Sequence, residues 1–146
     1  ITSCIGGALA AKGALDHPVE LIGVVSNGAP AYALSVEAGH SISHQVSTKL
    51  ADGMACRTPD ARALEIILAS GVRMLRVSDA EVAEAMRLIF SCTHNAAEGA
   101  GAAGLAALLQ DAQRSIGECV GFVLCGGNVD GDVFSKVLGG GDGHHE

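Results

Sequence analysis

Apolar residues recur along this chain at two different periods, and the switches between them outline its elements. Residues 20–26 (ELIGVVS) form a short β-rich apolar run, the pattern of a strand buried on both faces. Residues 72–77 (VRMLRV) alternate and predict a second strand. Residues 120–125 (VGFVLC), apolar at every position but the glycine, predict a third. Elsewhere the period is helical. Apolar positions at 82, 85, 86, 89 and 90 describe a helix running through Cys92. Ahead of it, Ser78-Asp79-Ala80-Glu81 has the form of a capping box, with Glu three residues after Ser. A helix rich in small residues is predicted over residues 6–15, with Pro18 marking the connection after it. Asn27-Gly28 reads as a turn, Pro30 suits the first turn of a helix to about Glu37, and Gly39 can close that helix. Residues 40–56 carry no clear period and read as a loop or a weak helix. At Thr58-Pro59-Asp60 the pattern predicts a start, with Thr as the cap, Pro in the first position and an amphipathic helix to about Ser70. An Ala- and Gly-rich helix is expected over residues 98–113, and a short closing helix over 131–138.

Helices alternating with short strands predict an α/β fold: a partial three-layer sandwich with a small, mainly parallel sheet flanked by helices. Three short strands make a thin sheet, and a helix comes before any strand, so the chain reads as part of something larger. The expected organisation is one unit over residues 1–138 followed by a flexible tail, 139–146 (GGGDGHHE). His144, His145 and Glu146 on that glycine leash are not a preformed metal site.

Composition narrows the function. The 146 residues are 49% hydrophobic but only 3% aromatic, so Ala, Val, Leu and Ile must fill the core. A net charge of −7 argues against a nucleic-acid or anionic-membrane surface. No apolar run approaches a membrane span, and the first residues lack the basic start of a signal peptide, so a cytoplasmic protein is expected. Cys4, Cys56, Cys92, Cys119 and Cys125 are odd in number and contain no CxxC pair, unlike a disulfide framework or zinc site. His40, His44 and His94 have no partner at metal-ligand spacing and read as surface or helix-end residues.

The segment that stands out is Cys125-Gly126-Gly127-Asn128, a thiol, two glycines and an amide at the end of the third predicted strand. Taken alone it is compatible with a small strand-end residue and a glycine loop, or with a site that a ligand approaches closely. Glu98, an acid among alanines and glycines, similarly suits either a site or a helix start, where the dipole favours negative charge.

Five segments, GVVSNGAPAYALSVEAGH, LADGMACRTPDA, RVSDAEVAEAMRLIF, THNAAEGAGAAGLAALL and CGGNVD, stand in the order and spacing of the threonine and serine dehydratases. These are pyridoxal-phosphate ammonia-lyases of the tryptophan-synthase-β (fold type II) class. The chain resembles the C-terminal part of that family over about residues 3–138. The resemblance implies that Cys125 meets the pyridine nitrogen of the cofactor. Gly126 and Gly127 would let the main chain approach, Asn128 would hold the turn, and Glu98 would lie near the ring edge. A weakly polar partner leaves the ring nitrogen largely unprotonated, which suits β-elimination better than transamination. The Ala-Asp-Gly turn at 51–53 is implied to be structural. Ser3 would stand in the phosphate loop, where Thr2 and Cys4 occupy glycine positions and would crowd the anion. Some relatives bind a divalent cation after the strand equivalent to 20–26. Ser26 and Tyr32 hold the acidic positions here, so no metal is expected.

The family's Schiff-base lysine and its substrate-carboxylate loop are not found. Lys12, Lys49 and Lys136 are the only lysines, and none has that context. The expectation is a chain inactive alone, partnered by a separate N-terminal half or by further copies of itself. The alternative is a non-enzymatic homologue persisting as an oligomerising or binding module.

Overall fold

The computed structural model describes residues 2–115 and 119–140, with Thr2, Ser3 and Ser115 described through their main chain alone. The expected tail lies outside the described residues from 141 onward. The order is α1 (Thr2–Leu15), β1 (Ile22–Ser26), α2 (Ala31–Ala38), α3 (Ala61–Ser70), β2 (Arg73–Val77), α4 (Asp79–Thr93), α5 (Gly99–Gln110) and α6 (Gly131–Leu138). Short 3-10 turns occupy Asp52–Met54 and Ala112–Ser115. Strands β1 and β2 pair in parallel, Ile22 opposite Arg73 through Ser26 opposite Val77.

Because strand side chains alternate, this pair feeds two cores. Val25 and Met74 pack with Tyr32, Ala33, Leu64 and Ile67, so α1, α2 and α3 cover one face. Val24, Leu75 and Val77 pack with Val82, Met86, Ile89, Ala103 and Val137, so α4, α5 and α6 cover the other. The result is the expected three-layer α/β arrangement, with a thinner sheet than the pattern suggests. Burial along β1 is also uneven, since Ile22 is exposed while Val25 and Ser26 are buried.

Local chemistry accounts for most of the element ends. Ser78 Oγ accepts from Glu81 N, and the Glu81 carboxylate accepts from Ser78 N at 2.7 Å, the reciprocal capping box that opens α4. Gly39 and Gly71 close α2 and α3 with φ of 74° and 64°, conformations that suit a residue lacking Cβ. His94 closes α4 in the same left-handed region, and its ring lies 6.3 Å from that of Phe90.

Three expectations need correction. The N-cap of α3 is Asp60, whose carboxylate accepts from Ala63 N at 2.9 Å, and not Thr58. Pro59 therefore precedes the cap, and Thr58 instead shares a hydrogen bond with Ser43. Helix α5 ends at Gln110 rather than 113: Asp111 turns to accept from Arg73 on β2 at 2.7 Å, and a 3-10 turn follows. Finally, residues 120–125 are not a strand. They have no ladder partner among the described residues and lie along α5, where a Cβ on Gly104 would stand 2.9 Å from Phe122 Cβ. Their outer side is open: Val120 is 47% exposed and Val123 69%. An apolar run signals burial of side chains, whereas a strand also requires a neighbour for its main-chain groups.

The five cysteines are free thiols, and no helix among the described residues is long and apolar enough to cross a membrane.

Candidate functional site

Three of the segments singled out by sequence meet at the N-terminus of α5. Glu98 is the N-cap residue of that helix, but its side chain makes no capping bond. The carboxylate turns outward and accepts from Asn128 N at 3.2 Å, while Glu98 N donates to Gly126 O at 3.1 Å. Both main-chain and side-chain groups of Glu98 thus hold residues 126–128.

The glycines have specific neighbours. A Cβ on Gly126 would stand 2.5 Å from Glu98 Oε1, and one on Gly127 would stand 2.6 Å from Ala96 O. From the helix side, a Cβ on Gly101 would stand 2.5 Å from Gly126 O. Within the chain, the missing side chains at 101, 126 and 127 allow the segment to lie flat against α5 and its entry. Val129 N then donates to Gly127 O at 3.0 Å, closing the turn before α6.

The Ala-Asp-Gly turn packs on the same helix end. Asp52 Oδ1 accepts from Gly53 N at 2.8 Å, and Ala55 N donates to Asp52 O. A Cβ on Gly53 would stand 2.9 Å from Ala100 Cβ and 3.7 Å from Glu98 Oε1. A cleft of about 150 Å³ opens beside this turn at the carboxyl end of β1, lined by Val25, Ala29, Tyr32, Gly53, Met54 and Cys56. Ligands of parallel α/β sheets commonly bind at that end of the strands.

Of the residues expected at the site, Glu98, Cys125, Gly126, Gly127 and Asn128 are therefore together. Cys125 is an exposed free thiol at the edge of the pinned segment. Ser3 lies in the first turn of α1, and its side chain is outside what is described. Ser26 is buried and its hydroxyl accepts from Gly28 N at 3.0 Å; Tyr32 is buried and its hydroxyl accepts from Asp60 N at 3.1 Å. His40 and His44 bond to nearby carbonyls, of Ala38 and Gln45.

Sequence reading missed Thr48 and Asp79. The Asp79 carboxylate accepts from Thr48 Oγ1 at 2.6 Å, Lys49 N at 2.9 Å and Leu50 N at 3.4 Å. In sequence Asp79 looks like an ordinary first-turn acid, and nothing signals a partner about thirty positions away.

Residues 2–126 match the family model described as pyridoxal-phosphate dependent enzyme. The L-threonine ammonia-lyase of Thermotoga maritima is 29% identical over 134 residues, covering 92% of this chain and 33% of that protein. The L-threonine ammonia-lyase of Geobacter sulfurreducens is 34% identical over 123 residues, covering 84% and 31%. Among solved structures, a T.th. threonine deaminase superposes with a TM-score of 0.78 at 30% identity, covering 85% of this chain and 45% of that one. Maize serine racemase gives the same TM-score at 27% identity, covering 92% and 42%. The chain thus spans about a third of the length of these two ammonia-lyases and less than half of these two solved chains.

Proposed function

The chain belongs to the family of pyridoxal-phosphate-dependent enzymes, and from that premise we propose that it forms the ring-side part of an ammonia-lyase site acting on threonine or serine. One observation carries the reading: Glu98, the Ala-Asp-Gly turn and residues 125–128 converge on one helix end. The residues present fit the ring of such a cofactor. Cys125 offers an exposed thiol, next to main chain that Gly126 and Gly127 allow to lie flat against Glu98 and Ala96.

In this reading Cys125 contacts the ring nitrogen. Glu98 keeps the main chain of 126–128 in place through its two hydrogen bonds, so the thiol is held by a rigid segment. When bound, pyridoxal phosphate supplies the electron sink for loss of the hydroxyl group from the amino acid. The lysine amine that this chemistry needs is provided by residues outside these 146, whether in the same polypeptide or in a partner. The 146 residues alone are then catalytically inactive.

A second reading, a non-enzymatic homologue held in an oligomer, is favoured by Val120, Phe122, Val123 and Leu124, which expose apolar surface and have no strand partner among the described residues. The same surface suits an N-terminal half in the first reading.

The test is an absorbance titration of the purified chain with pyridoxal phosphate, alongside Cys125→Ala and an assay for 2-oxo acid from threonine and serine. The expected result is a saturable spectral change, weakened in the variant, with no turnover. Absence of any saturable change in the unmodified chain overturns the ring-side assignment and leaves the oligomeric reading. Turnover by these residues alone overturns the need for a lysine supplied from elsewhere.

A further inference from the structure

We infer that Asp79, remote in sequence from every site residue, is a positioning residue that sets the site through residues 48–54; its relevance to cofactor binding rests on the reading proposed above. The argument begins with the number of donors it gathers. One carboxylate at the start of α4 accepts from a hydroxyl and two main-chain N–H groups, those of Thr48, Lys49 and Leu50. Charged acceptors make the stronger hydrogen bonds, and a half-buried one with three donors fixes a segment rather than a single side chain. Thr48 extends the hold, because its hydroxyl also accepts from Ala51 N at 3.2 Å. Four consecutive residues, 48 to 51, are thus tied directly or through one intermediary to Asp79.

What those residues touch is the entry of α5. Leu50 O and Ala51 Cα lie so close to Gly99 that a Cβ there would overlap the carbonyl. Gly53 lies against Ala100 and faces Glu98. Neither approach leaves free space, so a shift of 48–53 moves residues 98–100. Glu98 in turn holds Asn128 N and Gly126 O, and Gly101 leaves no gap under Gly126. The path from Asp79 to the Cys125 segment is therefore a series of main-chain contacts without slack. Asp79 also stands in the first turn of α4, where the helix end favours a negative charge.

The test compares the unmodified chain with Asp79→Asn, Thr48→Val and Thr48→Ser by amide hydrogen exchange and by pyridoxal-phosphate titration. Asp79→Asn keeps the shape but presents fewer acceptor sites to three donors. Exchange is expected to quicken at least about tenfold at Lys49, Leu50 and Ala51 and severalfold at Glu98 and Asn128, with β1 and α3 unchanged. Thr48→Val follows in the same direction, while Thr48→Ser, which retains the hydroxyl, stays near the unmodified chain. Pyridoxal-phosphate affinity falls severalfold in Asp79→Asn. Faster exchange confined to 48–51, or raised evenly through the whole chain, overturns the inference. Cofactor affinity unchanged in Asp79→Asn also overturns it. If the unmodified chain binds no cofactor, the functional reading fails alone, and the exchange pattern at Glu98 and Asn128 still decides the role of Asp79.

Discussion

Replacing Gly101 with alanine sets two effects of known sign against each other. Gly101 lies inside α5, where alanine is the better helix former by about 1 kcal/mol. The new Cβ, however, would stand 2.5 Å from Gly126 O and 3.3 Å from Gly126 N, against about 3.4 Å for ordinary contact. The obstacle is main chain, so the segment must retreat by about 0.9 Å, which strains the Glu98 N to Gly126 O bond. Overpacking of this kind costs about 1–3 kcal/mol, so Gly101→Ala should range from neutral to about 2 kcal/mol destabilising. Gly7 provides the control. It is also helical, but a Cβ there meets nothing within 4 Å, and Gly7→Ala should stabilise by up to about 1 kcal/mol. Urea unfolding of both variants measures the difference, expected to be about 1–3 kcal/mol with equal slopes. Equal stabilisation by both alanines would show that residues 125–128 do not rest on α5, and the argument for the site would fall with it.

Two further outcomes concern helix entries. Burial pushes the Glu81 carboxyl up, but hydrogen bonds from Ser78 N–H, the Ser78 hydroxyl and the Gln110 amide outweigh it, so it titrates below the ordinary glutamate value of 4.5. A folded value lowered in this way contributes stability that is complete above the unfolded value and lost as pH falls through the folded one. Urea midpoints should therefore fall more steeply below about pH 4.5 in the unmodified chain than in Glu81→Gln; parallel curves would contradict this. At the start of α3, Asp60→Ala should cost about 1 kcal/mol and Thr58→Ala less than about 0.5 kcal/mol, and the reverse order in thermal or urea unfolding would restore Thr58 as the cap.

What was legible in the sequence was local or periodic. The capping box at Ser78, the glycine closure at 39, the helical spacing of α4 and the apolar runs of β1 and β2 depend on neighbours a few positions away. Those signals survive in one dimension because their partners are encoded beside them. The cap at Asp60 was within reach too, but Thr58 two positions earlier is also a capping residue type, and only the hydrogen bond from Ala63 N to the Asp60 carboxylate separates them.

The remaining features depend on contacts between distant positions. Residues 120–125 have the composition of a strand, yet pairing requires a partner edge, and composition records only the wish to leave water. Asp79 reads as a helix-start acid until the fold brings Thr48, Lys49 and Leu50 to it. Gly101 looks like one more small residue in an Ala-Gly helix until Gly126 O lies against it. By itself the sequence determined the three-layer α/β class, most element positions and, through five motifs in order, the family. Only the tertiary structure decided which carboxylate holds which main chain, because hydrogen bonds and close approaches between segments some thirty residues apart are set by packing and leave no period in the chain.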